Sequence, residues 1–97
     1  MREASILLID DDSTLLELLA GHLRTAGYLP LVAADGQRGL RLAVQASPDL
    51  VVLDVMMPGM DGWEVCQELR QVSTVPIIML TAKGEEIDKL HGFHLGV

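Results

Sequence analysis

Apolar residues in this chain fall in short consecutive runs, separated by stretches with a helical period. Ile6-Leu7-Leu8-Ile9, Leu50-Val51-Val52-Leu53 and Ile77-Ile78-Met79-Leu80 are apolar at every position. That is the pattern of strands covered on both faces in a parallel sheet. A fourth run, Leu29-Pro30-Leu31-Val32-Ala33, contains a proline, which cannot donate to a ladder and so places the strand at a sheet edge. Between the runs, Thr14 to Ala26 carries leucines at 15, 16, 18, 19 and 23. Ser13 or Thr14 is positioned to cap it, Glu17 follows Thr14 by three, and Gly27 can end it. Gly36 to Ala46 puts Leu40, Ala43 and Val44 on one face, with Ser47-Pro48 as the stop. Asp61 caps a third helix, with Glu64 three residues on and Val65, Cys66 and Leu69 inward. Glu85 to about His94 forms a fourth pattern through Ile87 and Leu90, helped by the Glu85–Lys89 pair and weakened by Gly92.

Strand and helix thus alternate four times, which implies right-handed crossovers and a parallel, doubly wound α/β sheet. No repeat, low-complexity segment or linker divides residues 1–97, so one domain is expected. Fourteen acidic residues against seven basic ones give a net charge of −7, which repels nucleic acid and anionic membrane. Cys66 has no partner for an internal disulfide and fits a reducing compartment. The run Ile6 to Ile9 is too short for a signal peptide or a membrane span. These features point to a cytoplasmic module without direct nucleic-acid or membrane contact.

In open α/β sheets, ligands bind beyond the carboxyl ends of the strands. Asp10-Asp11-Asp12 follows the first buried run, Asp54 ends the third, and Thr81 and Ala82 follow the fourth. Each has a plain reading. Asp12 or Ser13 could simply cap the first helix, Asp10 and Asp11 could be solvated loop acids, Asp54 a turn residue before Met-Met-Pro-Gly, and Thr81 a strand end. Their convergence on one rim outweighs those readings taken singly. Crowded carboxylates call for a hard cation, and Mg²⁺ accepts a few carboxylates and carbonyls while keeping water. Such a cation would attract a phosphoryl group, with Asp54 the candidate nucleophile and Thr81 a hydrogen-bond donor. His91 and His94 are spaced i,i+3 but lack a third ligand. Cys66 reads as a core residue, and Met56, Met57 and Met60 as loop and packing residues.

Three segments, "LLIDDDST", "DLVVLDVMMPGMDGWEV" and "VPIIMLTAKGEE", together resemble the receiver domain of bacterial two-component response regulators, over essentially all 97 residues. The resemblance implies a flavodoxin-like sheet of order 2-1-3-4, with the family's fifth strand and fifth helix missing. Residues 1–97 are then a receiver incomplete at its C-terminus, without an output domain. Asp54 matches the aspartate that takes a phosphoryl group from a histidine kinase or phosphotransfer protein. Asp11 matches the direct Mg²⁺ ligand and Asp10 the acid acting through water. Asp54 and the Met56 main-chain carbonyl complete the set, with Mn²⁺ as the alternative ion. Thr81 matches the switching hydroxyl, Ala82 the small residue beside it, and Pro58 and Gly59 the loop after the acceptor. Met56 and Lys83 match the two positions that tune the lifetime of the acyl phosphate. Self-phosphorylation from small donors and slow autodephosphorylation are the expected activities.

The family's lysine on the fifth strand has no counterpart by position, and Lys83 does not replace it. One consequence is an alternative function, a receiver-like fragment that binds Mg²⁺ or partners without being phosphorylated. Another is self-association through the edge of the fourth strand. An aspartyl phosphohydrolase would need a second acid where Met56 stands. The "MMPGMDGWEV" and "LTAKGEEIDKLHGFHLG" segments resemble receivers of transcription factors with a winged-helix output, so control of transcription is expected.

Overall fold

A computed structural model describes residues 3–80. Along these residues run β1 (Ser5–Ile9), α1 (Ser13–Thr25), β2 (Leu29–Ala33), α2 (Gly36–Ala46), β3 (Leu50–Asp54), α3 (Gly62–Arg70) and β4 (Ile77–Leu80). The strands form one parallel sheet in the order β2-β1-β3-β4. This is the doubly wound α/β architecture expected from the alternation. β2 is an edge strand, as Pro30 required. The Leu29 N–H donates to the Ala4 carbonyl at 2.9 Å, so the two-residue period turns the nitrogen of Pro30 away from β1. The ring therefore costs the sheet no hydrogen bond.

β1 is buried along its whole length and serves two layers. Leu7 and Ile9 join Val51, Leu53, Val65, Cys66, Leu69 and Ile77 under α2 and α3. Ile6 and Leu8 pack with Leu16 and Ala20 of α1 on the opposite face. Each such large aliphatic side chain contributes about 1.5–3 kcal/mol when fully buried. At the amino end of the β1–β3 pair, the Asp49 carboxylate accepts the Ser5 N–H at 2.7 Å and the Ser5 hydroxyl at 3.4 Å. The Asp49 N–H returns a bond to the Ser5 carbonyl at 2.9 Å.

Of the residues the sequence offers as cap of α1, Asp12 fills the place: its carboxylate accepts the Leu15 N–H at 3.1 Å. Ser13 and Thr14 cannot cap because they already lie inside the helix, where the backbone is no longer extended. The stop at Gly27 holds. Its φ is +95°, its N–H donates to Arg24 and the next N–H, on Tyr28, to Leu23. These are the two bonds of a Schellman ending, which needs a left-handed residue there.

Helix α2 has the expected bounds, but Val44 points out at 62% exposure. Ala43 is buried and Leu40 packs against the core as expected, with Gly36 and Gly39 completing the inward stripe. A side chain at Gly39 would run into Ile9, so absence of bulk brings α2 onto β1. Leu18 of α1 is likewise exposed, at 59%. β4 is covered on one face only: Ile77 and Met79 are buried, whereas Ile78 and Leu80 are 47% and 39% exposed. α1 lies on the same face as Ile78 and Leu80 but packs mainly on β1 and β2, toward the opposite edge of the sheet. The pattern Glu85 to His94 and the pair His91–His94 lie outside the described residues. No helix among the described residues is long and apolar enough to cross a membrane.

Candidate metal centre

Parallel pairing sets Ile9 beside Leu53, so the next residue of each strand, Asp10 and Asp54, comes out at the same end of neighbouring strands. One carboxylate oxygen each of Asp10, Asp11 and Asp54 lies within 4.8 Å of the other two. The three acids therefore converge as the sequence indicated, and the third member of the aspartate run does not join them. Asp12 is occupied with the cap of α1.

Asp10 is held firmly. Its N–H donates to the Ala33 carbonyl at 3.1 Å, extending the β1–β2 ladder by one residue. Its carboxylate accepts the Asp12 N–H at 2.9 Å, an Asx turn that bends the chain from strand into helix. Asp10 is 8% exposed, deep for an acid. Asp11 is exposed and Asp54 half-buried. Among the described residues, no cationic side chain forms an ion pair with any of the three. Buried carboxylates without a counter-charge are costly.

The cost registers on Asp54. Burial, then the Asp10 carboxylate, push its pKa above the ordinary 3.8, and Asp11 adds to the rise. The Met56 and Val55 N–H groups pull the other way. The Met56 N–H reaches the Asp54 carboxylate at 3.4 Å, a long bond that orients more than it stabilises.

The segment after Asp54 is braced from both sides. The Val55 N–H donates to the Leu80 carbonyl of β4 at 3.1 Å, and the Val55 carbonyl accepts the Gly62 N–H at 3.0 Å. A Cβ at Gly62 would strike the Asp54 carbonyl, so only glycine lets the start of α3 lie against the end of β3. Sequence reasoning gave Gly62 no role; close approach leaves no mark in a hydrophobic pattern. Gly59 has φ +80° and turns the loop, Pro58 is exposed, and Met57 is buried in the core. Met56 is 68% exposed beside Asp54. Asp61 and Glu64 are not free acids of the rim. They form a reciprocal capping box, with bonds of 3.0 and 3.3 Å. Thr81, Ala82 and Lys83 lie outside the described residues.

Three carboxylates and no thiolate or imidazole make a hard-oxygen donor set, which suits Mg²⁺ or a similar divalent ion retaining several waters. A half-buried carboxylate beside such an ion is also a nucleophile placed for an electrophile that carries negative charge.

The sequence model of one family, described as the response regulator receiver domain, matches residues 6–97. The chain is 49% identical over 92 residues to the alkaline phosphatase synthesis transcriptional regulatory protein PhoP of Bacillus subtilis, covering 94% of this chain and 38% of that protein. It is 45% identical over 91 residues to the transcriptional regulatory protein BaeR of Escherichia coli, covering 94% and 38% respectively. The chain thus spans less than two-fifths of the length of these relatives. Among solved structures, the chemotaxis protein CheY4 of Vibrio cholerae superposes with a TM-score of 0.92 at 33% identity. That likeness covers 99% of this chain and 82% of that one.

Proposed function

The chain belongs to the response regulator receiver domain family, and from that membership we propose that Asp54 is the phosphoacceptor of a Mg²⁺-dependent signalling module. The donor is a phosphohistidine of a histidine kinase or phosphotransfer protein. A carboxylate oxygen of Asp54 forms the new O–P bond as the N–P bond of the donor breaks, and the histidine nitrogen leaves with the electron pair. Asp10, Asp11, Asp54 and the Met56 carbonyl would hold the cation, with Mn²⁺ as a substitute. When bound, the ion supplies positive charge that offsets the transferring phosphoryl oxygens.

The chain's own groups do the rest. The Met56 N–H orients the Asp54 carboxylate through a long bond. Gly62 and the bond from Val55 to Leu80 keep the acceptor strand in place. Thr81 donates a hydrogen bond to the phosphoryl group and moves on switching, beside the small Ala82. Pro58 and Gly59 shape the loop, and Met56 and Lys83 set how long the acyl phosphate lasts. The output of the switch is control of transcription, which the relatives named as transcriptional regulatory proteins support. The observation that carries this reading is the convergence of the three carboxylates within 4.8 Å at the end of β3.

The test is intact-mass analysis of the chain with Mg²⁺ and acetyl phosphate, beside Asp54→Asn. One added phosphoryl group that is absent from the variant and abolished by chelator is expected. No adduct in a sample that binds Mg²⁺ would refute the acceptor role for this chain.

Self-association through β4 belongs to the same reading. Val51 and Val55 donate to the carbonyls of Pro76 and Leu80, so alternation turns the main-chain groups of Ile77 and Met79 to the opposite edge. Among the described residues no strand pairs there. Sedimentation equilibrium should show a concentration-dependent dimer, and a monomer at all concentrations would exclude it.

A further inference from the structure

A groove of about 890 Å³ runs along the outer edge of β2, between α1 and α2. None of Asp10, Asp11 and Asp54 lines it. Its floor is apolar, with Leu16 and Ala20 from α1 and Leu42 from α2. Its walls carry Arg24, Arg38 and Arg41, opposed by one acid, Glu17. Three of the seven basic residues of a chain with net charge −7 are thus gathered in one place. Among the described residues, the side chains of Arg24 and Arg41 make no hydrogen bond or ion pair. Arg38 meets Asp35 at 3.4 Å across an exposed pair, which holds it weakly.

The edge of β2 opens into the same groove. Leu29 and Ala33 direct their main-chain groups to β1, since the Leu29 N–H donates to Ala4 and the Ala33 carbonyl accepts from Asp10. By the two-residue alternation, Val32 turns both its N–H and its carbonyl outward. Its side chain is 47% exposed. Pro30, of the same parity, offers a carbonyl alone and ends any added ladder on that side.

We propose that this groove docks an extended, acidic segment of a partner protein. The segment pairs with the main chain of Val32, lays apolar side chains on Leu16, Ala20 and Leu42, and sets carboxylates on Arg24, Arg38 and Arg41. Strand addition supplies the main-chain bonds, and arginine–carboxylate pairs are strong and directional. A second copy of the chain fits poorly. Two-fold pairing of β2 edges would set one arginine triad against another, and an isologous interface must be complementary to itself. Nucleic acid fits poorly too, because its continuous charge meets the acidic remainder of the surface. Because Pro30 limits the ladder, charge supplies most of the discrimination.

Fluorescence anisotropy with a labelled peptide of alternating glutamate and valine tests this, beside the same peptide with glutamine for glutamate. The acidic peptide is expected to bind at least tenfold more tightly than its neutral twin. The double variant Arg24→Gln/Arg41→Gln is expected to lower its affinity at least tenfold without altering the thermal midpoint. Val32→Pro removes the outward N–H, keeps every charge, and should also weaken binding. Amide shifts should centre on residues 31–34. Equal binding of the two peptides, an unaffected double variant, shifts centred on α3 or β4, or no binding at millimolar peptide would each overturn the proposal. So would tighter binding of an oligonucleotide, or a dimer that the double variant abolishes.

Discussion

Replacing Asp54 by asparagine in the metal-free chain removes a charge from a site where two like charges already stand. The replacement keeps an oxygen for the Met56 N–H. Two unit charges 4.8 Å apart repel by about 0.9 kcal/mol at the dielectric of water and about 3.5 kcal/mol at an effective value of 20. Asp11 is exposed, so screening puts its pair with Asp54 near the lower figure, whereas Asp10 is buried and its pair falls between the two. Relief of the two pairs is then about 2–3 kcal/mol. In a domain of this size that corresponds to a Tm gain of about 4–8 °C per kcal/mol.

The pH dependence has a defined sign. The pKa of Asp54 is raised by folding above 3.8. The folded chain therefore holds the proton more tightly than the unfolded one. The unmodified chain has this contribution in full below 3.8 and loses it as pH rises through the folded-state pKa. Asp54→Asn should thus show its gain at about pH 7 and none at about pH 3. Thermal unfolding by circular dichroism with chelator, across that range, measures the difference. Excess Mg²⁺ should shrink the variant's advantage, because the unmodified chain gains about 2.7 kcal/mol at a hundredfold excess over Kd and the variant gains less. A variant no more stable than its parent at neutral pH, or one whose advantage persists at pH 3, would refute the electrostatic account.

Other substitutions separate the parts of the rim. Asp12→Ala should cost about 1 kcal/mol through the lost cap of α1, and isothermal titration should find Mg²⁺ affinity unchanged within a few-fold. Gly62→Ala forces a methyl against the Asp54 carbonyl and should cost about 1–3 kcal/mol, with slower phosphoryl uptake by mass spectrometry. Gly21→Ala is its control, since a Cβ at Gly21 meets nothing within 4 Å; it should stabilise by about 0.5–1 kcal/mol. Leu53→Ala removes a side chain with no exposed surface and should cost about 2–5 kcal/mol in urea unfolding.

Much of this molecule is legible in its sequence because strands and helices leave periodic marks. The runs at Ile6, Leu50 and Ile77 gave strands, and Pro30 gave the edge, since a missing N–H has one tolerable place. The acids of the rim were legible from the rule that ligands gather at the carboxyl ends of parallel strands. What escaped was closeness. Gly36, Gly39 and Gly62 act by having no side chain, so no hydrophobic pattern reports them, and Val44 drew the eye because it is large. The choice between Asp12, Ser13 and Thr14 as cap depended on one residue of register, which propensity does not resolve.

Asp49 and Asp54 bracket β3 and illustrate two uses of one side chain. At Asp49 the carboxylate and the N–H are both engaged with Ser5, tying the amino ends of β1 and β3 together. At the other end, Asp10 and Asp54 push apart. The seam between these strands is therefore tight at one end and tense at the other. Hydrogen exchange near Ser5 should report whole-domain opening, whereas the amide of Met56 should exchange through local fraying. Charge can come and go at the tense end while the tight end keeps the sheet in register. A domain wired this way can register a chemical event at its rim without risking its fold.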